Sequence, residues 1–162
     1  MRKTTGIIIT LTTAVGIGIV SGLAQMARAD EATYRDIEQT LGFVPGFFKA
    51  FPEGAIAGAW AEFKSLQLNP KTKLDGKTKE LIGLAVSAQI PCQYCIYFHT
   101  AAAKANGATE QEIRETVAMA AVVRHWSTVL NGMQVDLAAF KRETDTVLRL
   151  AGEKAKTVGA SK

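Results

Sequence analysis

β-Strand patterns are missing from this 162-residue sequence, because no segment alternates apolar and polar residues in the way of a half-buried strand. Apolar residues recur instead at three- and four-residue spacing, as at Tyr34, Ile37 and Leu41. Prolines are few, four in all, and Pro91 separates two helical segments. The sequence therefore predicts an all-α fold of about six helices. Neither an internal repeat nor a linker divides residues 30–162, which are predicted to form one domain.

Local signals predict helix boundaries in the C-terminal part of the chain. Thr109 and Glu112, three residues apart, have the pattern of a capping box and predict a helix start. The last helix is predicted from about Met133 to Leu150. Residues 153–162 are polar and small and are expected to fray.

An excess of basic charge is also absent once the N-terminal residues are set aside. The whole chain has 19 Lys and Arg against 15 Asp and Glu. Residues 1–29 contain three of those bases, Arg2, Lys3 and Arg28, and no acid, so the rest of the chain has 16 bases and 15 acids, a net charge of +1. No basic stripe remains that would favour nucleic acid as a partner.

Residues 1–29 have the organisation of a secretory signal peptide. A positively charged start precedes an apolar run over residues 6–24, and Ala27 and Ala29 are the small residues that signal peptidase reads before a cleavage at Asp30. The protein is therefore predicted to be periplasmic or secreted. The alternative is an uncleaved anchor, since the apolar run is near the lower limit of about 17–25 residues for a spanning helix. Contact with a membrane is expected only in that case.

Cysteine is scarce, and the two that occur, Cys92 and Cys95, are three residues apart. Cysteines of exported proteins usually form structural disulfides. A bridge here would close a very short loop, however, and the stabilisation by a crosslink falls with loop length. A Cys-x-x-Cys pair is better suited to reversible oxidation and reduction, so we predict a redox pair. A structural bridge and a metal site remain alternatives.

The two thiols lie in a predicted helix–corner–helix. One helix ends near Ile90, and the next has Cys92 in its first turn. Glu80 is ten residues before Ile90 and His99 is nine after it. At 1.5 Å per residue, both lie about 14–15 Å from the corner. If the helices fold back on each other, Glu80 faces His99.

This register predicts a proton relay that activates a thiol. Cys95 and His99 are four residues apart and therefore share one helix face. A thiol becomes a nucleophile when it loses its proton, which His99 can take directly or through a water while Glu80 orients the imidazole. The helix N-terminus also favours a thiolate. We predict that Cys95 attacks and that Cys92 resolves the product into a disulfide.

Plainer roles are open for the same residues. Glu80 could be a solvated carboxylate and His99 a hydrogen-bonded core residue. The two thiols, His99 and Glu80 could also bind zinc, although three of the four come from under three turns of one helix, without the paired knuckles of most structural sites. Haem attachment is not favoured, because that motif needs His directly after the second Cys.

The stretch around the cysteines resembles the AhpD-like alkylhydroperoxidase branch of the carboxymuconolactone decarboxylase family. The pattern of that branch is Glu, eleven residues, then Cys-x-x-Cys-x-x-x-His. Glu80, Cys92, Cys95 and His99 match every spacing. Residues 41–45, with the sequence LGFVP, also resemble the N-terminal part of the family, so the resemblance covers most of the chain after residue 29.

The resemblance implies an AhpD-like helical fold that assembles into homotrimers or hexamers. It also implies thiol-dependent reduction of hydroperoxides with Cys95 as the peroxide-reactive thiol, no bound cofactor or metal, and an unidentified dithiol reductant as partner. Some AhpD proteins have a His between the two cysteines, where this chain has Tyr94. A phenol is not a base near neutral pH. Tyr94 is therefore assigned to the pocket, and the relay depends on Glu80 and His99.

The predicted export places the protein in an oxidising compartment, whereas the predicted peroxidase needs reduced thiols. An exported protein meets an oxidising compartment, in which a Cys-x-x-Cys pair rests oxidised unless an export-side reductant exists. Three alternatives to a peroxidase remain open. They are an export-side thiol–disulfide oxidoreductase, a lyase or isomerase that acts on a lactone and does not need the vicinal thiols, and a non-catalytic helical binding module.

Overall fold

The protein is all-α, as the sequence predicts. The structure, a computed structural model, describes residues 14–159, and within this range it contains six α-helices, one short 3-10 helix and no β-strand. The α-helices are α1 (Ala14–Leu41), α2 (Ile56–Leu66), α3 (Gly76–Gln89), α4 (Gln93–Ala105), α5 (Glu110–Gly132) and α6 (Leu137–Gly159). The 3-10 helix spans Gly46–Ala50.

The described chain divides into two compact units on either side of the junction between Asp75 and Gly76. The first contains α1, the 3-10 helix and α2, and the second contains α3 to α6. All four residues of the predicted relay belong to the second unit. A single domain over residues 30–162 stays a prediction.

The first unit is held together by packing of α1 against α2. Ile37, Phe48, Ile56 and Trp60 form its buried core, in which Phe48 and Trp60 make an edge-to-face contact. Asp36 accepts hydrogen bonds from the Trp60 indole (2.6 Å) and the Lys64 ammonium (2.7 Å). The bond from Lys64, followed by that from Trp60, lowers the pKa of Asp36.

Helix α1 is continuous across the predicted cleavage site before Asp30. The Asp30 carboxylate is buried and accepts a hydrogen bond from the Gly54 amide (2.7 Å). Residues 1–13 of the predicted signal peptide lie outside the described residues, and cleavage stays a prediction. Within residues 14–159, none of the helices combines the length and apolar character needed to cross a bilayer.

The second unit is built on α3, which packs along both α4 and α5. Leu84, Ala103, Ile113 and Ala120 are its buried apolar residues. Ala103 of α4 is fully buried. Helices α3 and α4 lie close enough for a side chain of α3 to form a hydrogen bond with one of α4.

Helix α5 begins with the capping box that the sequence predicts. The Thr109 hydroxyl accepts the Glu112 amide (3.1 Å), and the Glu112 carboxylate accepts the Thr109 amide (2.7 Å). Lys77 of α3 donates to the same carboxylate (2.7 Å). The Lys77 hydrogen bond, and after it the Thr109 amide, lower the pKa of Glu112 to about 2. One carboxylate thus caps α5 and joins it to α3.

Helix α6 differs from the sequence-based expectation at both ends. It was predicted from about Met133 to Leu150, but it begins at Leu137 because the Asp136 carboxylate accepts the Ala139 amide (2.7 Å) and starts the helix there. At the other end α6 continues to Gly159, so residues 153–159 of the expected frayed tail are helical, and residues 160–162 lie outside the described range. An ion pair between Arg149 and Glu153 (2.8 Å) supports this extension.

Candidate functional site

The corner between α3 and α4 is short and brings the two helices side by side. Helix α3 ends at Gln89, and α4 begins at Gln93. The Cys92 amide reaches back across the corner to donate to the Ser87 carbonyl (3.2 Å). The fold-back arrangement assumed from the sequence is therefore the observed one.

Cys92 is the residue that starts α4. It lies just before the helix as its N-cap, with φ −90° and ψ 101°, rather than in the first turn as predicted. Its sulfur accepts a hydrogen bond from the Cys95 amide (3.2 Å), which is how a capping side chain satisfies a free N–H at a helix start. The two sulfurs form a disulfide, with the Cα atoms 5.3 Å apart. Both residues are partly exposed.

His99 and Glu80 form a hydrogen-bonded pair between α4 and α3. The Glu80 Oε2 and His99 Nδ1 atoms are 2.8 Å apart. The Glu80 side chain is only 6% exposed and that of His99 is 18% exposed. An ionised carboxylate can only accept, so an ionised Glu80 requires Nδ1 to donate, and in the neutral imidazole Nε2 is then the basic nitrogen. His99 lies one turn beyond Cys95 on α4, so the imidazole and the thiol share a helix face.

Two further contacts define the environment of the His99 ring. The Phe98 ring meets it edge-on, with the centroids 5.2 Å apart. On the other helix the ring lies over Gly83, one turn after Glu80, at a position where a Cβ atom would collide with three imidazole atoms. Gly83 was not singled out from the sequence, because the contact depends on how α3 is rotated about its axis.

Hydrogen bonds from α5 hold the corner between α3 and α4 in place. Gln89 donates its side-chain amide to the Ala120 carbonyl (2.6 Å), and Arg124 donates to the Gln89 side chain (2.8 Å) and to the Gln89 backbone carbonyl (3.3 Å). Arg124 thus binds the carbonyl of the last residue of α3, where a cation is favourable. Neither residue was identified from the sequence, since no spacing rule links positions 35 apart.

Tyr94, predicted to line the pocket, is 90% exposed in the isolated chain, and Tyr97 is 79% exposed. A pocket role for Tyr94 stays a prediction. An open apolar groove of about 790 Å³ lies elsewhere, between α3 and α5, lined by residues that include Ile82, Met119 and Val122. It contains none of the relay residues, so its position does not coincide with the thiol chemistry. Among residues 14–159, no three His, Cys, Asp or Glu side chains are grouped so as to hold a metal ion.

The helical corner has its Cys-x-x-Cys pair at the start of the second helix. The structure is similar to the crystal structure of the alkylhydroperoxidase AhpD core from Rhodospirillum rubrum, with a TM-score of 0.59 and 28% sequence identity, covering 82% of this chain and 95% of that one. Residues 54–137 match the carboxymuconolactone decarboxylase family. The chain belongs to the carboxymuconolactone decarboxylase family.

A relative from Paracoccus denitrificans is named "Uncharacterized protein 4 in cox locus". It is 34% identical over 85 residues, which are 50% of this chain and 77% of that protein. The predicted family is thus confirmed, and with it the predicted fold class. Family membership supports an enzymatic activity of the alkylhydroperoxidase or decarboxylase type.

Proposed function

We propose that this protein is a thiol-dependent peroxidase that reduces alkyl hydroperoxides with its Cys92–Cys95 pair. The observation that carries the proposal is the 2.8 Å hydrogen bond from His99 to the buried Glu80, on the helix that also holds both cysteines. The similarity of the structure to the alkylhydroperoxidase AhpD core from Rhodospirillum rubrum adds support. The proposed roles are Cys95 as peroxide-reactive thiol, Cys92 as resolving thiol, His99 as proton relay and Glu80 as its orienting carboxylate.

The first step is removal of the Cys95 proton in the reduced protein. His99 Nε2 takes it, either directly or through a water, because Nδ1 is occupied by Glu80. The resulting imidazolium is stabilised by the Glu80 carboxylate, which is desolvated by its burial and so interacts strongly. The N-terminus of α4 stabilises the thiolate through the helix dipole.

The second step breaks the peroxide bond. The Cys95 thiolate attacks the terminal oxygen of the hydroperoxide, the O–O bond breaks, and the alkoxide takes the proton from His99 to leave as an alcohol. Cys95 is then a sulfenic acid. Cys92 attacks that sulfur, its proton and the hydroxide leave as water, and the Cys92–Cys95 disulfide forms. The two electrons that reduce the peroxide have come from the two thiols.

A dithiol partner completes the cycle. It gives two electrons and two protons to the disulfide, becomes a disulfide itself and restores both thiols. Export by residues 1–29 remains part of the proposal, so the dithiol would have to reach the periplasm. Assembly into a homotrimer or hexamer is proposed as well, and the apolar side chains exposed on α5, such as Met119 and Val123, support it.

Single-turnover oxidation tests the proposal. Reduced protein free of excess reductant is mixed with cumene hydroperoxide, and loss of thiols, formation of cumyl alcohol and the disulfide are measured by mass spectrometry. We expect one alcohol per protein and a Cys92–Cys95 bridge. Cys95→Ser should reduce the rate to background, and Cys92→Ser should stop at a sulfenic acid that dimedone traps. Full turnover by Cys95→Ser would overturn the thiol mechanism.

A second candidate is an export-side thiol–disulfide oxidoreductase. The position of Cys92 as N-cap favours it, because a helix start stabilises a thiolate leaving group and thereby makes a disulfide more oxidising. This candidate predicts that the disulfide form oxidises a reduced dicysteine peptide faster than the dithiol form consumes cumene hydroperoxide. The family also supports a decarboxylase-type reaction. Turnover of a lactone that persists in Cys92→Ser and Cys95→Ser would identify that third activity.

A further inference from the structure

Gly83 lies in the interior of α3, where its missing side chain makes room for the His99 ring. A Cβ atom added at Gly83 would fall within collision distance of His99 Nδ1, Cε1 and Nε2. No backbone atom is among the three nearest atoms, so the imidazole itself occupies the space. Gly83 does not have a positive φ. Left-handed backbone therefore does not account for the glycine, whereas the position of the ring does.

The same ring is fixed on a second side by a hydrogen bond. Glu80 is one turn before Gly83 on α3, and its Oε2 is 2.8 Å from His99 Nδ1. The Ser87 hydroxyl donates to the Gly83 carbonyl (2.6 Å), within the same stretch of helix. A helical backbone cannot retreat at one residue without breaking such bonds. A methyl group at position 83 must therefore displace the ring or separate α3 from α4, and either movement lengthens the Nδ1···Oε2 hydrogen bond.

We propose that Gly83 is a positioning residue for the thiol chemistry, and that it acts through His99. Its lack of a side chain lets the imidazole lie against α3 where Nδ1 meets Glu80 and Nε2 remains available to the thiol one turn earlier. Glycine in a helix interior is less favourable than alanine. Gly83 therefore lowers the helix propensity of α3 but leaves room for the imidazole. The inference rests on the proposed role of His99 as the base for Cys95.

The experiment is a double-mutant cycle in the full chain. Gly83→Ala, His99→Ala and the double variant are made in a Cys92→Ser background, so that Cys95 is the one thiol and serine still caps α4. The matched control is Gly58→Ala, in the first turn of α2, where an added Cβ has open space within 4 Å. The readouts are the pH profile of Cys95 alkylation by iodoacetamide, the ¹⁵N shifts of the imidazoles and the melting temperature.

We expect Gly83→Ala to slow alkylation near pH 7 at least about tenfold, which is part of the effect of about 10²–10⁴-fold ascribed to a general base. The midpoint of its pH profile should move upward, as in His99→Ala. The double variant should alkylate no more slowly than His99→Ala alone. The His99 ¹⁵N shifts should lose the pattern of a fixed tautomer in Gly83→Ala. Gly58→Ala should leave both the profile and the shifts unchanged.

Thermal melting separates the collision from a general loss of stability. Once His99 is alanine there is no ring to displace, so Gly83→Ala should then raise the melting temperature, as expected for alanine in a helix. If Gly83→Ala alone fails to fold and the double variant folds, the collision with His99 is still demonstrated. Failure of both to fold, or a wild-type profile and wild-type ¹⁵N shifts in Gly83→Ala, would overturn the inference.

These readouts use neither a peroxide nor an electron donor. If the wild-type protein consumes no hydroperoxide but the cycle shows full coupling, the peroxidase proposal fails and the role of Gly83 stands. If hydroperoxide is consumed and the cycle shows no coupling, the peroxidase stands and the role of Gly83 fails. The two proposals are thus distinguishable in the same set of proteins.

Discussion

Glu80 and His99 are 19 residues apart and on different helices, yet their Oε2 and Nδ1 atoms are 2.8 Å apart. The carboxylate is almost fully buried, and the imidazole retains a small exposed surface. A buried carboxylate without a partner would be costly, so each residue stabilises the position of the other. The pair therefore serves both the packing of α3 on α4 and the proposed proton transfer.

Glu80→Gln tests whether the negative charge matters beyond the hydrogen bond. Glutamine keeps the shape and can still pair with Nδ1, but it does not stabilise an imidazolium. We expect Cys95 alkylation at pH 7 in the reduced protein to slow about tenfold or more, while the helix content measured by circular dichroism is kept. Glu115→Gln on α5, which removes an exposed carboxylate, is the control. Equal rates in Glu80→Gln and wild type would contradict the relay.

Leu84→Ala tests how much of the stability of the second unit depends on the face of α3 that is buried. Leu84 is 2% exposed, and truncation of a buried leucine to alanine costs about 2–5 kcal/mol. Urea denaturation should show a loss in that range. Ile82→Ala, two residues earlier on the same helix, removes a side chain that is 49% exposed and should cost far less. Similar losses in the two variants would mean that the burial of Leu84 is not what stabilises this unit.

Glu112→Gln should reveal the pH dependence of the link between α3 and α5. The pKa of Glu112 is lowered from 4.5 to about 2. Its stabilising effect is therefore complete above the unfolded-state pKa and is lost as the pH falls from 4.5 through about 2. Melting temperatures of wild type and Glu112→Gln should differ most above pH 5, a margin of about half a unit over that pKa, and converge near pH 2. A difference that stays constant over this range would refute the linkage.

Arg124→Met tests whether the hydrogen bonds from α5 stabilise the corner between α3 and α4. The arginine makes two hydrogen bonds to Gln89, and a single hydrogen bond contributes about 0.5–1.5 kcal/mol. We expect a loss of stability of that order and faster hydrogen exchange of the Cys92 amide, which bonds across the corner. The control Arg142→Met removes the same charge from α6. If Arg142→Met accelerates the exchange equally, the effect is one of net charge and not of the corner.

Spacing along the chain predicted part of this site, and the rotation of the helices determined the rest. Glu80 and His99 are nearly equidistant from the corner, so their meeting followed from the rise per residue once the two helices were taken to fold back on each other. The collision between Gly83 and the imidazole, and the bonds from Arg124 to Gln89, depend on the angle at which each helix faces its neighbours. Linear sequence does not specify that angle, and for this reason both features appeared only in the structure.

Helix boundaries show the same division. The Thr109 cap was predicted because a capping box is a local pattern within four residues. The start of α6 was predicted too early because two local signals lie only three residues apart. The apolar residues from Met133 indicate one start, and the capping carboxylate of Asp136 indicates a later one. The structure has the start that Asp136 caps. Local chemistry thus fixes a helix end only where one signal is dominant.

The sulfur of Cys92 has two tasks, since it is both a redox atom and the acceptor that begins α4. A thiolate accepts a hydrogen bond more strongly than a disulfide sulfur does. Ionisation of Cys92 in the reduced pair should therefore tighten the first turn of α4, and oxidation should loosen it. By thermodynamic linkage, the formed turn favours the Cys92 thiolate over the disulfide by the same free energy by which the thiolate favours the turn. Helix formation and the ease of reduction are therefore coupled through this one sulfur.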